Sequence, residues 1–216
     1  MLLSTSHCST GEARQLDRLN ARYSKSDEHK LELLNELTKV YGFMQLDSMS
    51  LYVEKSIDLA RRLSNKKGLG DALNNKGYLQ FMIDKNKESK QTIIQAIEIN
   101  KSCNNFKGLA WSYLGIATVY KSNGDFETYK SYTLKALEVF TKIKDVHGIS
   151  NSYLWLGTYY LNGNDSSKVK ANHQKALAVL EALVMKIIMH LLYSFWLIRL
   201  DDPCYDSALA YRLESL

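Results

Sequence analysis

Apolar side chains recur every three or four residues through most of the chain. In segment 109–121 this spacing places the apolar residues on one face of a helix; they are Leu109, Tyr113, Ile116, Ala117 and Tyr120. Segment 126–143 has the same spacing. Between the two segments, Gly124 is suited to ending one helix and Asp125 to capping the next. The pattern therefore predicts a helical hairpin with a short polar turn.

The hairpin pattern repeats every 40 residues along the chain. Three columns of small residues share this period: Gly68, Gly108 and Gly148; Ser56, Ala96, Ala136 and Ala176; and Gly77, Ala117 and Gly157. Small side chains at such positions let helix axes approach to about 8–10 Å. The period predicts four helix pairs, with helices at 31–43 and 48–63, 69–83 and 87–101, 109–121 and 126–143, and 154–161 and 166–183.

These repeats predict an all-α protein, an α-solenoid of stacked antiparallel helix hairpins. A single helix pair cannot bury its apolar face alone, so neighbouring pairs must stack. The chain of 216 residues contains one proline, Pro203, whereas a β-sandwich or barrel with many turns would use more. An irregular helical bundle whose sequence happens to repeat is the alternative interpretation.

The third repeat carries motifs that resemble a tetratricopeptide repeat (TPR), in segments 114–120, 124–126 and 135–140. Segments 156–160 and 175–177 of the fourth repeat resemble it as well. The usual repeat has about 34 residues, and this longer one resembles those of kinesin light chains and many bacterial sensor proteins. Segment 37–52 is similar to the first repeat of sensor modules that precede bacterial histidine kinases. The resemblance implies a right-handed superhelix whose first helices line a concave groove.

The two ends of the chain depart from the repeat. We interpret residues 1–29 as an N-terminal tail with a possible first helix, residues 30–183 as the four TPR-like pairs, and residues 184–216 as a degenerate or truncated fifth repeat. Segment Ala182–Ile198 is strongly apolar but contains Lys186 and His190. It falls short of the roughly 20 clean apolar residues of a membrane span, so a packing helix is favoured over a weak membrane candidate.

Charge and cysteine content narrow the classes of partner and compartment. The chain has 28 Lys and Arg against 23 Asp and Glu, a net charge of +5. Charges of both signs are interspersed rather than gathered in a basic stripe, so nucleic-acid binding is not expected. Cys8, Cys103 and Cys204 lie far apart and suggest free thiols in a reducing compartment. We therefore predict a cytoplasmic location, or a periplasmic one if an upstream signal sequence is missing from this chain.

No pattern for catalysis, metal or cofactor binding stands out. The five histidines are spread over different repeats, and none lies at a ligand spacing from a second one. No glycine-rich loop follows a strand, and no nucleophile–base constellation is apparent. The sequence therefore predicts no metal site, no cofactor and no enzymatic activity.

The candidate binding site is the concave groove that the resemblance implies. It places eight residues there: Asn35, Lys39, Asn74, Tyr78, Trp111, Leu114, Asn151 and Leu154. Four further positions accompany them: Glu32, Asp71, Thr118 and Thr158. Asparagine amides can donate to and accept from a peptide backbone together, and tryptophan and tyrosine are common binding anchors. The alternative is that Asn35 and Asn74 are merely solvated helix positions.

Two hypotheses of function follow. The first is a non-catalytic protein–protein interaction scaffold that binds a peptide or protein segment in the concave groove. The second is the N-terminal sensory or regulatory module of a bacterial signalling protein, similar to a histidine kinase and lacking its output domain. The first predicts a gene that ends near Leu216, and the second predicts a reading frame that continues into a catalytic domain. The partner and the oligomeric state are left open.

Overall fold

A computed structural model of the chain describes residues 27–41 and 46–199, with the side chains of residues 27–39 and 46–189. Its elements are α1 (Asp27–Tyr41), α2 (Leu46–Arg62), α3 (Lys66–Met82), α4 (Asn86–Ser102), α5 (Phe106–Ser122), α6 (Phe126–Lys142), α7 (Val146–Asn162) and α8 (Ser166–Arg199). No strand occurs among these described residues. The all-α prediction is confirmed.

The helices stack as consecutive hairpins. The most extensive contacts join α1 to α2, α3 to α4, α5 to α6 and α7 to α8, and each pair also packs on the next through the neighbouring helices. Fully buried small residues lie at these crossings, as predicted from the columns, and they include Ala96, Ala117, Ala136 and Ala176. The α-solenoid of stacked hairpins is therefore confirmed.

The turns between α2 and α8 share one geometry. The helices α2 to α7 have 17 residues each, and the described turns between them adopt a left-handed backbone every 20 residues, at Ser64, Asp84, Asn104, Gly124, Lys144 and Asn164. The next residue donates its N–H five positions back, as Asn105 does to the Asn100 carbonyl at 2.9 Å. This bond satisfies a carbonyl that the helix end leaves free.

Side-chain caps fix where the first helices begin. Asn65, Asn105 and Asp145 each accept a hydrogen bond from the N–H of the glycine three residues on. The cap at Asp145 starts α7 at Val146, whereas the sequence pattern placed this start at residue 154. The glycine is required by packing as well, since a Cβ at Gly148 would lie 2.1 Å from Cδ1 of Phe140.

The two sides of the stack differ in how closely their helices approach. The first helices of neighbouring pairs contact one another, α1 with α3, α3 with α5 and, to a lesser extent, α5 with α7. Over the described range, the second helices α2, α4, α6 and α8 make no comparable contacts with one another. We call the side formed by the first helices the inner face and the side formed by the second helices the outer face.

Helix α8 is twice as long as its counterparts, with 34 residues. It passes through position 183, where the fourth pair was predicted to end, without a break. Large apolar side chains beyond this point are 42–58% exposed, among them Val184, Ile187 and Met189. Across residues 27–41 and 46–199, no helix is both long enough and apolar enough to cross a membrane.

Part of the predicted organisation lies outside the described residues. This holds for most of the N-terminal tail, for residues 200–216 of the proposed fifth repeat, and for Cys8 and Cys204. Among the residues that the structure does describe, no group of three or more His, Cys, Asp or Glu side chains is arranged to hold a metal ion.

Candidate functional site

All eight predicted groove residues lie on first helices, and so on elements of the inner face. The structure divides them, by burial and by contacts within the chain, into packed and open positions. The packed positions are Asn35, Asn74, Trp111 and Leu114, and the open or half-open ones are Lys39, Tyr78, Asn151 and Leu154. The second group is available to a partner without disturbing the stack, and Trp111 is partly accessible as well.

Asn74 links the second helix pair to the third. Its Nδ2 donates to the Gly108 carbonyl at 2.9 Å, and its Oδ1 accepts from the Ser112 hydroxyl at 2.7 Å. Both ends of the amide are therefore satisfied within the chain. The amide joins α3 to α5, and its contact with a peptide backbone stays a prediction.

Asn35 links the first and second pairs through one end of its amide only, because its Oδ1 is buried without a hydrogen-bond partner among the described residues. It is 5% exposed, and its Nδ2 donates to the Gly68 carbonyl at 3.2 Å. The backbone carbonyl of Asn35 accepts from Asn75 Nδ2 at 3.2 Å. Both asparagines contact the next repeat, which neither of the two interpretations offered for them had included.

The predicted residues of the first pair lie one position out of register with the rest. A step of 40 residues back from Asp71, Asn74 and Tyr78 leads to Leu31, Leu34 and Thr38, all three of which are buried. Lys39, by contrast, is exposed, and its Nζ lies 2.8 Å from Glu36 Oε1. It contributes a charge at the rim of the inner face.

The third pair contributes core rather than surface. Leu114 is 1% exposed and belongs to an apolar cluster with Ala136 and Phe140. The Trp111 ring stands edge-on to Phe140, with 5.2 Å between ring centroids, so only part of the indole is accessible. Leu114 therefore does not line the groove, whereas Trp111 exposes part of its ring to the groove.

The open positions of the inner face lie on α3 and α7. Tyr78 is 39% exposed and Leu154 is 41% exposed, while Asn151 is half-buried one turn before Leu154. Thr118 and Thr158 use their hydroxyls to donate to carbonyls of their own helices, each at 3.2 Å. Tyr78 and Leu154 thus lie on the two first helices on either side of α5, which carries the partly accessible Trp111.

A buried polar network that the sequence analysis did not identify lies between the second and third pairs. Asn105 Nδ2 donates to Asn100 Oδ1 at 2.7 Å and to Asp71 Oδ1 at 2.9 Å. Asn100 Nδ2 in turn lies 3.1 Å from the Ser112 hydroxyl. The signal was present in the repeat, since Asn100 occupies the column of Ala60 and Phe140.

Asp71 brings an acidic group from this network to the inner face. Burial raises the pKa of its carboxyl above the ordinary value. The hydrogen bond from Asn105 and the nearby charges of Lys39 and Lys67 oppose that shift without cancelling it. Ionised Asp71 is therefore held at some cost in folding stability.

We expect Asp71→Asn to raise the melting temperature at pH 7 and to change it little at pH 3. A carboxyl whose pKa is raised on folding costs stability as the pH rises through the window between its unfolded and folded values, and an amide removes that cost. The Asn side chain keeps an oxygen acceptor for Asn105. Thermal unfolding followed by circular dichroism at the two pH values measures the difference.

Asp165→Asn serves as the control for this experiment, with the opposite sign. The Lys168 hydrogen bond, aided by the Lys168 backbone N–H, lowers the pKa of Asp165, so this variant should lose stability as the pH rises. A gain for Asp71→Asn that is larger at pH 3 than at pH 7 contradicts the assignment of a buried, ionised carboxylate.

No protein-family model and no curated protein sequence matches the chain. Solved structures match it in fold. Aspartyl phosphate phosphatase F from Bacillus subtilis superposes with a TM-score of 0.63 and 13% identity, over 79% of this chain and 49% of its own. A Rap protein complexed with competence and sporulation factor gives 0.61 and 14%, over 74% and 46%.

A third similar structure contains a tetratricopeptide repeat sensor. It is a Signal Transduction ATPase with Numerous Domains (STAND) with a tetratricopeptide repeat sensor, from Pyrococcus horikoshii, with a TM-score of 0.58 and 16% identity over 77% of this chain. The chain spans about half of the first two proteins and 26% of this one. Taken with the stacked pairs and their 40-residue period, these likenesses show that the chain has a tetratricopeptide-like repeat fold.

Proposed function

We propose that this chain is a non-catalytic interaction scaffold that binds a peptide or protein segment on its inner face. The observation that carries the proposal is the 39% exposure of Tyr78 on a first helix whose neighbouring positions are packed. Leu154, 41% exposed, lies on α7, the last first helix of the described range. Exposed aromatic and aliphatic side chains on a concave surface are typical anchors for a partner.

The polar groups around these anchors suit an extended segment. Lys39, whose Nζ also pairs with Glu36, is exposed on α1 at one end of the inner face. Asn151 is half-buried close to Leu154 at the other end. The buried asparagines contribute indirectly, because Asn35 and Asn74 hold successive first helices against one another. A similar fold occurs in a Rap protein complexed with competence and sporulation factor, which supports a peptide or protein as the class of partner.

Photo-crosslinking from the inner face tests the proposal. With benzoylphenylalanine in place of Tyr78 or Leu154, we expect both positions to capture the same protein or peptide in the native host. Leu51 on α2 and Ile94 on α4 are matched controls, since they are 53% and 39% exposed but lie on second helices. Capture of that same species from the control positions with equal yield contradicts the assignment of the inner face.

The double variant Tyr78→Ser/Leu154→Ser completes the test. Loss of two exposed anchors should weaken capture about ten-fold or more. The helical circular dichroism should stay unchanged, because neither side chain is buried. Undiminished capture by this variant would remove the two residues from the site.

A second candidate function is the sensory or regulatory module of a bacterial signalling protein. The observation in its favour is the likeness to the STAND protein with a tetratricopeptide repeat sensor, of which this chain spans 26%. The reading frame at the chromosomal locus distinguishes the two candidates. A frame that continues from this chain into a kinase or ATPase domain supports the sensory module.

A further inference from the structure

A cavity of about 410 Å³ opens on the outer face, between the second helices α6 and α8. The intervening first helix α7 forms its floor with Tyr153 and Tyr160, and lysines stand on both walls, Lys130 on α6 and Lys168 and Lys175 on α8. We call this space the outer cavity. Its volume lies within the range of about 300–1,000 Å³ typical of ligand pockets.

The preceding repeat shows why the outer cavity is open. One period of 40 residues before Asn172, which lines the cavity, stands Tyr132. The Tyr132 ring stacks on Tyr120, with 5.8 Å between centroids and 14° between planes, and lies 6.0 Å from Tyr113. In the space between α4 and α6, a third aromatic ring therefore packs against two tyrosines of α5.

The same two tyrosines recur in the next repeat without that third ring. Tyr153 and Tyr160 lie 40 residues after Tyr113 and Tyr120. Asn172 carries no ring, and its Nδ2 donates to the Lys168 carbonyl of its own helix at 2.8 Å. The outer cavity thus lies where Tyr132 packs in the preceding repeat, against the two tyrosines that correspond to Tyr113 and Tyr120.

The charge around the outer cavity is positive. Lys168 Nζ lies 5.2 Å from the Tyr160 ring centroid, and Lys175 Nζ lies 5.6 Å from that of Tyr153. Lys130 Nζ is 5.9 Å from the Tyr160 centroid. None of the described side chains that line the cavity is acidic, although Asp165 outside it pairs with Lys168 at 2.8 Å.

We propose that the outer cavity binds an aromatic side chain of an acidic peptide segment. The ring takes the place that Tyr132 has in the preceding repeat and packs against Tyr153 and Tyr160. Carboxylates on either side of it pair with Lys130 and Lys175. Packing of the ring against the two tyrosines selects an aromatic side chain. The opposite charges orient the peptide and make its binding sensitive to salt. This is a second site, independent of the inner face.

The probe for this site is the blocked peptide acetyl-Glu-Asp-Tyr-Glu-Asp-amide. Titrated into the full chain at low salt and followed by amide chemical shifts, it should perturb the signals of Tyr153, Tyr160 and Asn172. Replacing the peptide's tyrosine by alanine should weaken binding about ten-fold. A version with asparagine and glutamine in place of the acids should weaken it by about as much.

Filling the cavity provides the decisive variant. Asn172→Tyr restores the ring found in the preceding repeat, so peptide binding should fall about ten-fold or more while the helical circular dichroism stays unchanged. Thr92→Tyr makes the matched change one repeat before Tyr132 and should leave binding unaltered. The double variant Lys130→Gln/Lys175→Gln replaces two lysines by uncharged residues. It is a test that does not depend on how the new tyrosine packs.

Two results overturn the proposal. One is the absence of saturable shifts at the outer cavity with the tyrosine peptide. The other is binding by both the folded Asn172→Tyr chain and the Lys130→Gln/Lys175→Gln chain within about two-fold of the unaltered protein. Tyr78→Ser/Leu154→Ser should bind this peptide normally, so failure here and failure of the inner-face proposal are separate outcomes.

Discussion

Phe140→Ala is expected to lower the free energy of unfolding by about 3–5 kcal/mol, the usual cost of emptying a large buried aromatic site. Phe140 is 0% exposed and packs edge-on with Trp111 and directly on the backbone at Gly148. It therefore joins the third helix pair to the fourth, and its loss leaves a cavity at that seam. Urea unfolding followed by circular dichroism measures the change.

Phe106→Ala is the matched control, because it removes the same side chain from a position that is 51% exposed. A loss of about 1 kcal/mol or less is expected there, since surface substitutions rarely cost more. Equal losses for the two variants are incompatible with Phe140 as a core residue of the stack.

Ala136→Trp should destabilise the chain by about 1–3 kcal/mol or more, because the site has no room for a larger side chain. Ala136 is 0% exposed and clusters with Ala110 and Leu114 of α5 and with Phe140 of its own helix. An indole at this point must push α5 and α6 apart, and the fourth pair packs on the same cluster. The melting temperature should fall accordingly.

The control for this prediction is Ala178→Trp. Ala178 lies on α8 and is exposed, so the new ring meets solvent and the melting temperature should change little. An unshifted melting temperature for Ala136→Trp would falsify the packing register that the 40-residue period implies.

The stacking register could be predicted from the sequence because it depends on residue size. Ala96, Ala136 and Ala176 stand where helices press together, and a steric demand of this kind permits few residue types. The column of Gly68, Gly108 and Gly148 is constrained twice, by the capping bond of each helix and by the side chains that contact it. Such constraints repeat with the fold and leave a visible period.

The turns and the end of the fourth pair were harder to predict from the sequence. Of the six left-handed turn residues described, Gly124 alone is a glycine. The preference of glycine for such turns therefore identified only this one, although all six share the same geometry. For α8 the repeat suggested an end at residue 183, yet no glycine or proline occurs between Ser166 and Arg199. Without a helix-breaking residue the hydrogen-bonded ladder continues.

The candidate site was the hardest part to predict. An asparagine amide can form hydrogen bonds with the backbone of a partner or with that of the protein's own next repeat. The sequence does not show which of the two backbones lies within reach. For Asn35 and Asn74 it is the next repeat. Substitution of Asn74 or Trp111 is therefore expected to weaken the stack as well. Tyr78 and Leu154 avoid that confusion because their side chains are open.

The pattern of helix contacts has a consequence for how the protein forms. Within residues 27–41 and 46–199, extensive contacts join only helices that are one or two places apart along the chain. Each contact therefore closes a short loop, which costs little chain entropy. Proteins with such local topology reach their native state fast for their size. During synthesis, the first hairpins can form while the later ones are still inside the ribosome.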